Sequence, residues 1–161
     1  MHHPARPLLP ALLSIATTCA IGCDDGQSAP IQPLPEAEAV RSHSGLMTKQ
    51  RLVVSDGAAW ATLWNEIAGP IQPVPAVPVV DFTEDVVIVG AMGKQLTGGY
   101  SISIDEVRIA AGDARISVTE ESPGSGCFVT ESLTAPVDIV VTPRFAGQAT
   151  FVEHTSQHAC R

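Results

Sequence analysis

Tyr100-Ser101-Ile102-Ser103-Ile104-Asp105-Glu106-Val107-Arg108-Ile109 decides the fold. Side chains alternate across an extended chain, so Tyr100, Ile102 and Ile104 share one face and Ser101, Ser103 and Asp105 the other. The parity then switches to Val107 and Ile109, which predicts a one-residue bulge near Asp105-Glu106. Ala111-Gly112-Asp113 supplies a turn, and Ile116 and Val118 return as the second arm of a hairpin.

Further strands lie on either side. Val86-Val87-Ile88-Val89 is unbroken apolar sequence, as expected for a strand covered on both faces. Leu133, Val137, Ile139 and Val141 alternate in another strand, with Pro136 marking an edge or a bulge. Ala149 to Glu153 makes a last strand and Arg51-Leu52-Val53-Val54 an early one. Between them, Ser55 or Asp56 caps a helix running to about Ala68. Trp60, Leu63, Trp64 and Ile67 recur at i, i+3, i+4 and i+7, one face of a 3.6-residue period, which packs on the sheet or else offers two tryptophans to a ligand. Gly69-Pro70 stops the helix, and Pro70, Pro73, Pro75 and Pro78 keep the next segment out of helix and central strand. The expected fold is α+β: a mainly antiparallel sheet of five to seven strands with one early amphipathic helix.

The N-terminus reads as an export signal. Residues 1–22 carry Arg6 and then an apolar stretch from Leu8 to Ile21, too short to span a bilayer. The stretch ends in Ala20-Ile21-Gly22-Cys23, similar to a bacterial lipobox, so Cys23 is the expected lipid attachment point; simple secretion is the other reading. Acyl chains on that cysteine would hold the protein at a membrane. The expected location is therefore exported, lipid-anchored at a bacterial membrane, in the periplasm or at the cell surface. Residues 23–42 are polar and dotted with Pro30, Pro33 and Pro35, which reads as a disordered tether reaching ~60 Å when extended. The β-rich domain then occupies residues 43–161.

The formal charge is −8 over 161 residues. Removing the leader with its one cation, Arg6, leaves −9, a field that repels phosphate backbones and excludes nucleic acid as a partner. Cys127 and Cys160, 33 positions apart, are expected to form a disulfide in an oxidising compartment. Two sharper readings stand beside it: Cys127 as a nucleophile with His154 or His158 as base, or His154, His158 and Cys160 as metal ligands, since residues four apart share a face of a helix. Asp81, Glu84 and Asp85 cluster without the spacing of a calcium loop. No metalloprotease, nucleophile-elbow or phosphate-loop motif is present, and Ser44 and Ser125 have no evident base. No catalytic residue and no cofactor is therefore assigned.

Several motifs, taken in order, resemble one family. They are His43-Ser44-Gly45, Trp60 with Leu63-Trp64, Val80-Asp81-Phe82, Thr97-Gly98-Gly99-Tyr100-Ser101-Ile102, Pro123-Gly124-Ser125-Gly126-Cys127 and Ala135-Pro136. The stretch 43–145 is similar to the PrcB C-terminal domain family, named for a non-catalytic, lipid-anchored subunit of a surface protease complex. The resemblance implies a non-enzymatic envelope lipoprotein that binds or stabilises an exported partner, a protease or another envelope protein. The expected contact surface is Thr97, Gly98, Gly99 and Tyr100 with Asp81 and Phe82 nearby, because glycine permits close approach and tyrosine is favoured at interfaces. The alternative is a small-ligand or metal-binding lipoprotein using His154 and His158.

Overall fold

A computed structural model describes residues 26–160. In chain order it contains β1 (Gln27–Ala29), β2 (Gln32–Pro33), a short 3-10 helix (Pro35–Ala39), β3 (Gln50–Val54), α1 (Gly57–Ala68), β4 (Asp85–Ala91), β5 (Ser101–Ala110), β6 (Asp113–Pro123), β7 (Val137–Pro143) and β8 (Ala149–His158). The strands form two four-stranded sheets, ordered β1-β5-β6-β8 and β2-β7-β4-β3. The class is α+β as expected, with one more strand than the upper bound and two sheets in place of one.

The middle layer explains the unbroken run Val86–Val89. One face of the β2-β7-β4-β3 sheet presents Val87, Val89, Val137 and Ile139 to Trp60, Trp64 and Ile67 of α1. The opposite face presents Ile88 and Val140 to Ile102, Ile104, Val107, Ile116 and Val118 of the second sheet. The order of layers is thus helix, sheet, sheet, and β4 must be apolar on both sides. Asp56 caps α1, its carboxylate accepting from the Ala58 and Ala59 amides at 3.1 and 2.9 Å. Both tryptophans are fully buried, which removes the ligand-platform reading. Their indole N–H groups donate to Pro78 O at 2.9 Å and Pro75 O at 3.1 Å, fixing the proline-rich loop over the helix.

The bulge falls where parity predicts it: the β5–β6 register shifts between Ile104 and Glu106. Its surroundings were not foreseen. Asp138 of β7 points between the sheets, only 7% exposed, and accepts the Ile104 N–H at 2.8 Å. The Arg41 guanidinium lies 3.7 Å from the same carboxylate.

Three expectations need correction. Residues 27–40, read as part of a disordered tether, are built into the domain: β1 pairs with β5, β2 with β7, and Val40 is wholly buried. Backbone hydrogen bonds to existing strands order the segment, so it needs no apolar period of its own. Leu133 is an exposed loop residue and not part of β7, which starts at Val137. The last strand, expected to end at Glu153, runs on to His158; its pairing with β6 is the one parallel pairing among the described strands of a mainly antiparallel fold. That arrangement arises because the chain leaves β6, crosses to the other sheet as β7, and returns. The expected signal peptide of residues 1–22 and lipid site Cys23 lie outside the described residues.

Candidate functional site

The loops at the Ala91/Val137 end of the sandwich form the most distinctive surface. Gln95 and Thr134 exchange backbone bonds of 2.8 and 3.1 Å, and the Lys94 N–H donates to Met47 O at 3.1 Å. Ser44 is buried, and its hydroxyl donates to Ala135 O at 2.8 Å. Segments 43–49, 92–100 and 128–136 are thereby stitched together. Gly45 joins this end to the helix: its N–H donates to Ile67 O at 2.8 Å, and a Cβ there would overlap the Glu66 carbonyl oxygen. The His43-Ser44-Gly45 motif is therefore a helix-terminating clamp.

Thr97-Gly98-Gly99-Tyr100 lies in the same region. The Thr97 carbonyl accepts the Thr134 hydroxyl at 2.9 Å, and the Gly98 N–H donates to Thr130 O at 3.0 Å. A side chain at Gly98 would collide with the Thr130 hydroxyl, and Gly99 has φ +87° with Pro123 and Val129 against it. These glycines bring two loops of the same chain together. Asp81 and Phe82 do not join them. They precede Asp85 at the far end of β4, a seven-residue strand or ~20 Å away. Phe82 packs partly buried on the helix-side core. Asp81 closes a local turn, accepting the Thr83 hydroxyl and amide at 2.6 and 2.9 Å, and these bonds hold its carboxyl below the usual carboxylate range.

What the sequence reading missed is apolar. Met47, Leu96 and Leu133 are exposed on these stitched loops, and Phe128 is completely exposed beside Cys127. Met47 and Leu133 line a shallow cavity of about 140 Å³ with His43, Ser44, Pro70 and Lys94. A depression flanked by the exposed apolar side chains of Met47 and Leu133 suits the insertion of an apolar side chain from another molecule. The available signal was the occurrence of Met, Leu and Phe in segments rich in Gly, Ser and Thr with no strand or helix period.

The C-terminal residues settle differently from either sharper reading. Cys127 and Cys160 form a disulfide with Cα atoms 4.9 Å apart. Bonded sulfur is neither a nucleophile nor a thiolate ligand. Cys127, His158 and Cys160 do place ligand atoms within 4.8 Å of one another, but the two sulfurs are joined in an uncharged disulfide, a weak donor, which leaves the imidazole as the one strong ligand of that cluster. His154 and His158 sit on β8, where four residues span ~13 Å, so the helical spacing that would let them share an ion does not exist.

A charged cluster ties the edges of the two sheets together nearby. Arg51 on β3 donates to both Glu153 oxygens of β8 at 2.8 Å and to Glu120 of β6 at 2.5 Å. It also reaches the carbonyls of Gln50 and Ala91, each at 2.8 Å. Lys49 lies 2.8 Å from Glu120 and 3.1 Å from Glu153. The Arg51 hydrogen bond holds the Glu153 carboxyl below its usual range, against partial desolvation. The bond to Glu120 raises the Lys49 ammonium, again against desolvation. Two cations and two carboxylates make the cluster neutral, which is the chemistry of a clasp.

These features define a helix-covered β-sandwich whose sharpest surface feature is an apolar rim at one end. Residues 86–143, from β4 through β7, match the family described as PrcB C-terminal. The match takes in Thr97-Gly98-Gly99-Tyr100 and Pro123-Gly124-Ser125-Gly126-Cys127, while His43-Ser44-Gly45 and Trp60-Trp64 precede it and Cys160 follows it. No curated protein and no solved structure matches the chain.

Proposed function

We propose that this chain is a non-catalytic accessory subunit of the cell envelope, exported and lipid-anchored through Cys23, that binds and stabilises an exported partner, in the first instance a protease. The PrcB C-terminal match over residues 86–143 carries this reading. Two features of the geometry support it. The exposed apolar side chains of Met47 and Leu133 beside their shared depression, with Leu96 and Phe128 exposed on the same stitched loops, offer area to bury against a partner. The joining of Cys127 to Cys160 suits an oxidising compartment. On this reading Thr97, Gly98 and Gly99 shape the surface from below, and the apolar side chains make the contact.

The test is crosslinking in native envelopes followed by affinity isolation, run on the wild type and on Met47→Ser/Leu133→Ser. A stoichiometric partner with protease sequence, reduced at least about tenfold by the double substitution, is the expected result; each lost apolar anchor is worth roughly a tenfold change or more. Recovery of the chain alone in every crosslinking condition overturns the proposal.

A further inference from the structure

The parallel pairing of β8 leaves one edge of that strand open along its whole length. In a parallel ladder alternate residues bond to the neighbour, and the residues between them point their N–H and C=O groups away. At the two ends of β8, Ala114 N–H donates to Gln148 O at 2.8 Å and Gly124 N–H to His158 O at 3.0 Å. With the register Ala114↔Ala149 through Pro123↔His158, the even-numbered residues of β8 face β6. Phe151, Glu153, Thr155 and Gln157 then direct their backbone groups outward, and nothing among the described residues accepts from or donates to them. The edge runs for ten residues with no proline, glycine or bulge to blunt it. By contrast β1, at the other side of this sheet, has three residues.

We infer that β8 is a dimerisation edge, pairing antiparallel with β8 of a second copy about a two-fold axis at His154. The strand is self-complementary in this register. Phe151 faces Gln157 and Glu153 faces Thr155 as hydrogen-bonded pairs, so every outward donor of one copy meets an outward acceptor of the other. The whole strand from Thr150 to His158 overlaps its mate. A register one pair earlier sets Glu153 against Glu153 in a chain that is already acidic, and one pair later opposes Phe151 to Ala159, beyond the strand. The two sheets join into one of eight strands, an isologous contact in which the same patch serves both subunits. The clasp from Arg51 and Lys49 neutralises Glu153 at the seam, so its carboxylate does not repel the incoming strand.

Proline substitution separates this pairing from stability. Thr155 N–H faces outward, so Thr155→Pro removes a bond from each side of the dimer while leaving the β6 ladder intact; Ser156→Pro removes a ladder bond instead. Sedimentation of the full-length chain in detergent, over a concentration series, is expected to show a monomer–dimer equilibrium. Thr155→Pro should weaken it by about tenfold or more, as expected for two backbone bonds, with an unchanged far-ultraviolet circular dichroism spectrum and a melting temperature retained at low protein concentration. Ser156→Pro should lower the melting temperature of the monomer itself. A wild-type chain that stays monomeric at the highest concentrations, or a dimer indifferent to Thr155→Pro, overturns the inference. So does a wild-type monomer whose β8 edge instead binds an extended segment of another protein.

Discussion

Replacing Arg51 by alanine tests whether the clasp between the two sheets contributes stability. The guanidinium is 10% exposed and faces Glu120 at 17% and Glu153 at 39%. Breaking a fully buried ion pair costs about 3–5 kcal/mol, and an exposed pair at most about 1 kcal/mol. The cluster lies between these limits, since its innermost member is nearly buried and its outermost is screened by water. Lys49, half exposed, remains to share the two carboxylates after the substitution. The expected loss is therefore ~2–3 kcal/mol at neutral pH. For a domain of this size, that lowers the melting temperature by roughly 5–10 °C. Urea unfolding followed by fluorescence of the buried Trp60 and Trp64 measures it directly. Arg51→Lys keeps the charge but loses the forked geometry, and should fall between the wild type and Arg51→Ala. A loss below ~0.5 kcal/mol for Arg51→Ala would show that the cluster is an ordinary surface ion pair, and the argument from burial would fail.

Three further outcomes follow from the same structure. Glu153 has a lowered folded-state pKa, so its contribution is present above the ordinary carboxylate range and is lost as pH falls through the lower folded value; Glu153→Gln should flatten the acid limb of a stability–pH curve. Gly45→Ala should cost ~2–4 kcal/mol in urea unfolding, because the new Cβ meets the rigid carbonyl of Glu66 and must displace the end of α1. A loss under ~1 kcal/mol would mean the clamp can shift without penalty. Cys127→Ser with Cys160→Ser should cost about 3–4 kcal/mol for a closed loop of 33 residues, with amides of residues 154–158 exchanging faster with solvent while those of β4 stay protected.

Sequence revealed the elements whose signal is local. The parity switch at Asp105-Glu106 located the bulge, Val86–Val89 located the doubly covered strand, and the Trp60–Ile67 stripe with Asp56 located the helix and its cap. Each is written in the spacing of neighbouring residues. β1 and β2 were illegible because segments of three and two residues borrow their order from the backbones of β5 and β7. The parallel β6–β8 pairing was hidden for a related reason: alternation states that a strand exists, not which neighbour it chooses or in which direction. The Thr97-Gly98-Gly99 loop was located as a structural feature, but its glycines answer to Thr130 and Val129, partners some thirty residues away. Arg51, Glu120 and Glu153 are remote in sequence and individually unremarkable, so only the folded chain makes them a cluster.

The short β1 strand also limits how far the domain can stand from an anchor. With Gln27 already paired to Ile109, only three residues of chain separate Cys23 from the sheet, four steps that span at most ~14 Å however they run. If Cys23 carries a lipid, the β1 margin must sit almost at the level of the headgroups. The β8 margin lies across three strand spacings, ~14 Å further along the sheet. A bilayer would then act as an orienting wall: for both anchors of a pair joined through β8 to reach it, the joined sheet must lie along the membrane, with its two-fold axis along the membrane normal.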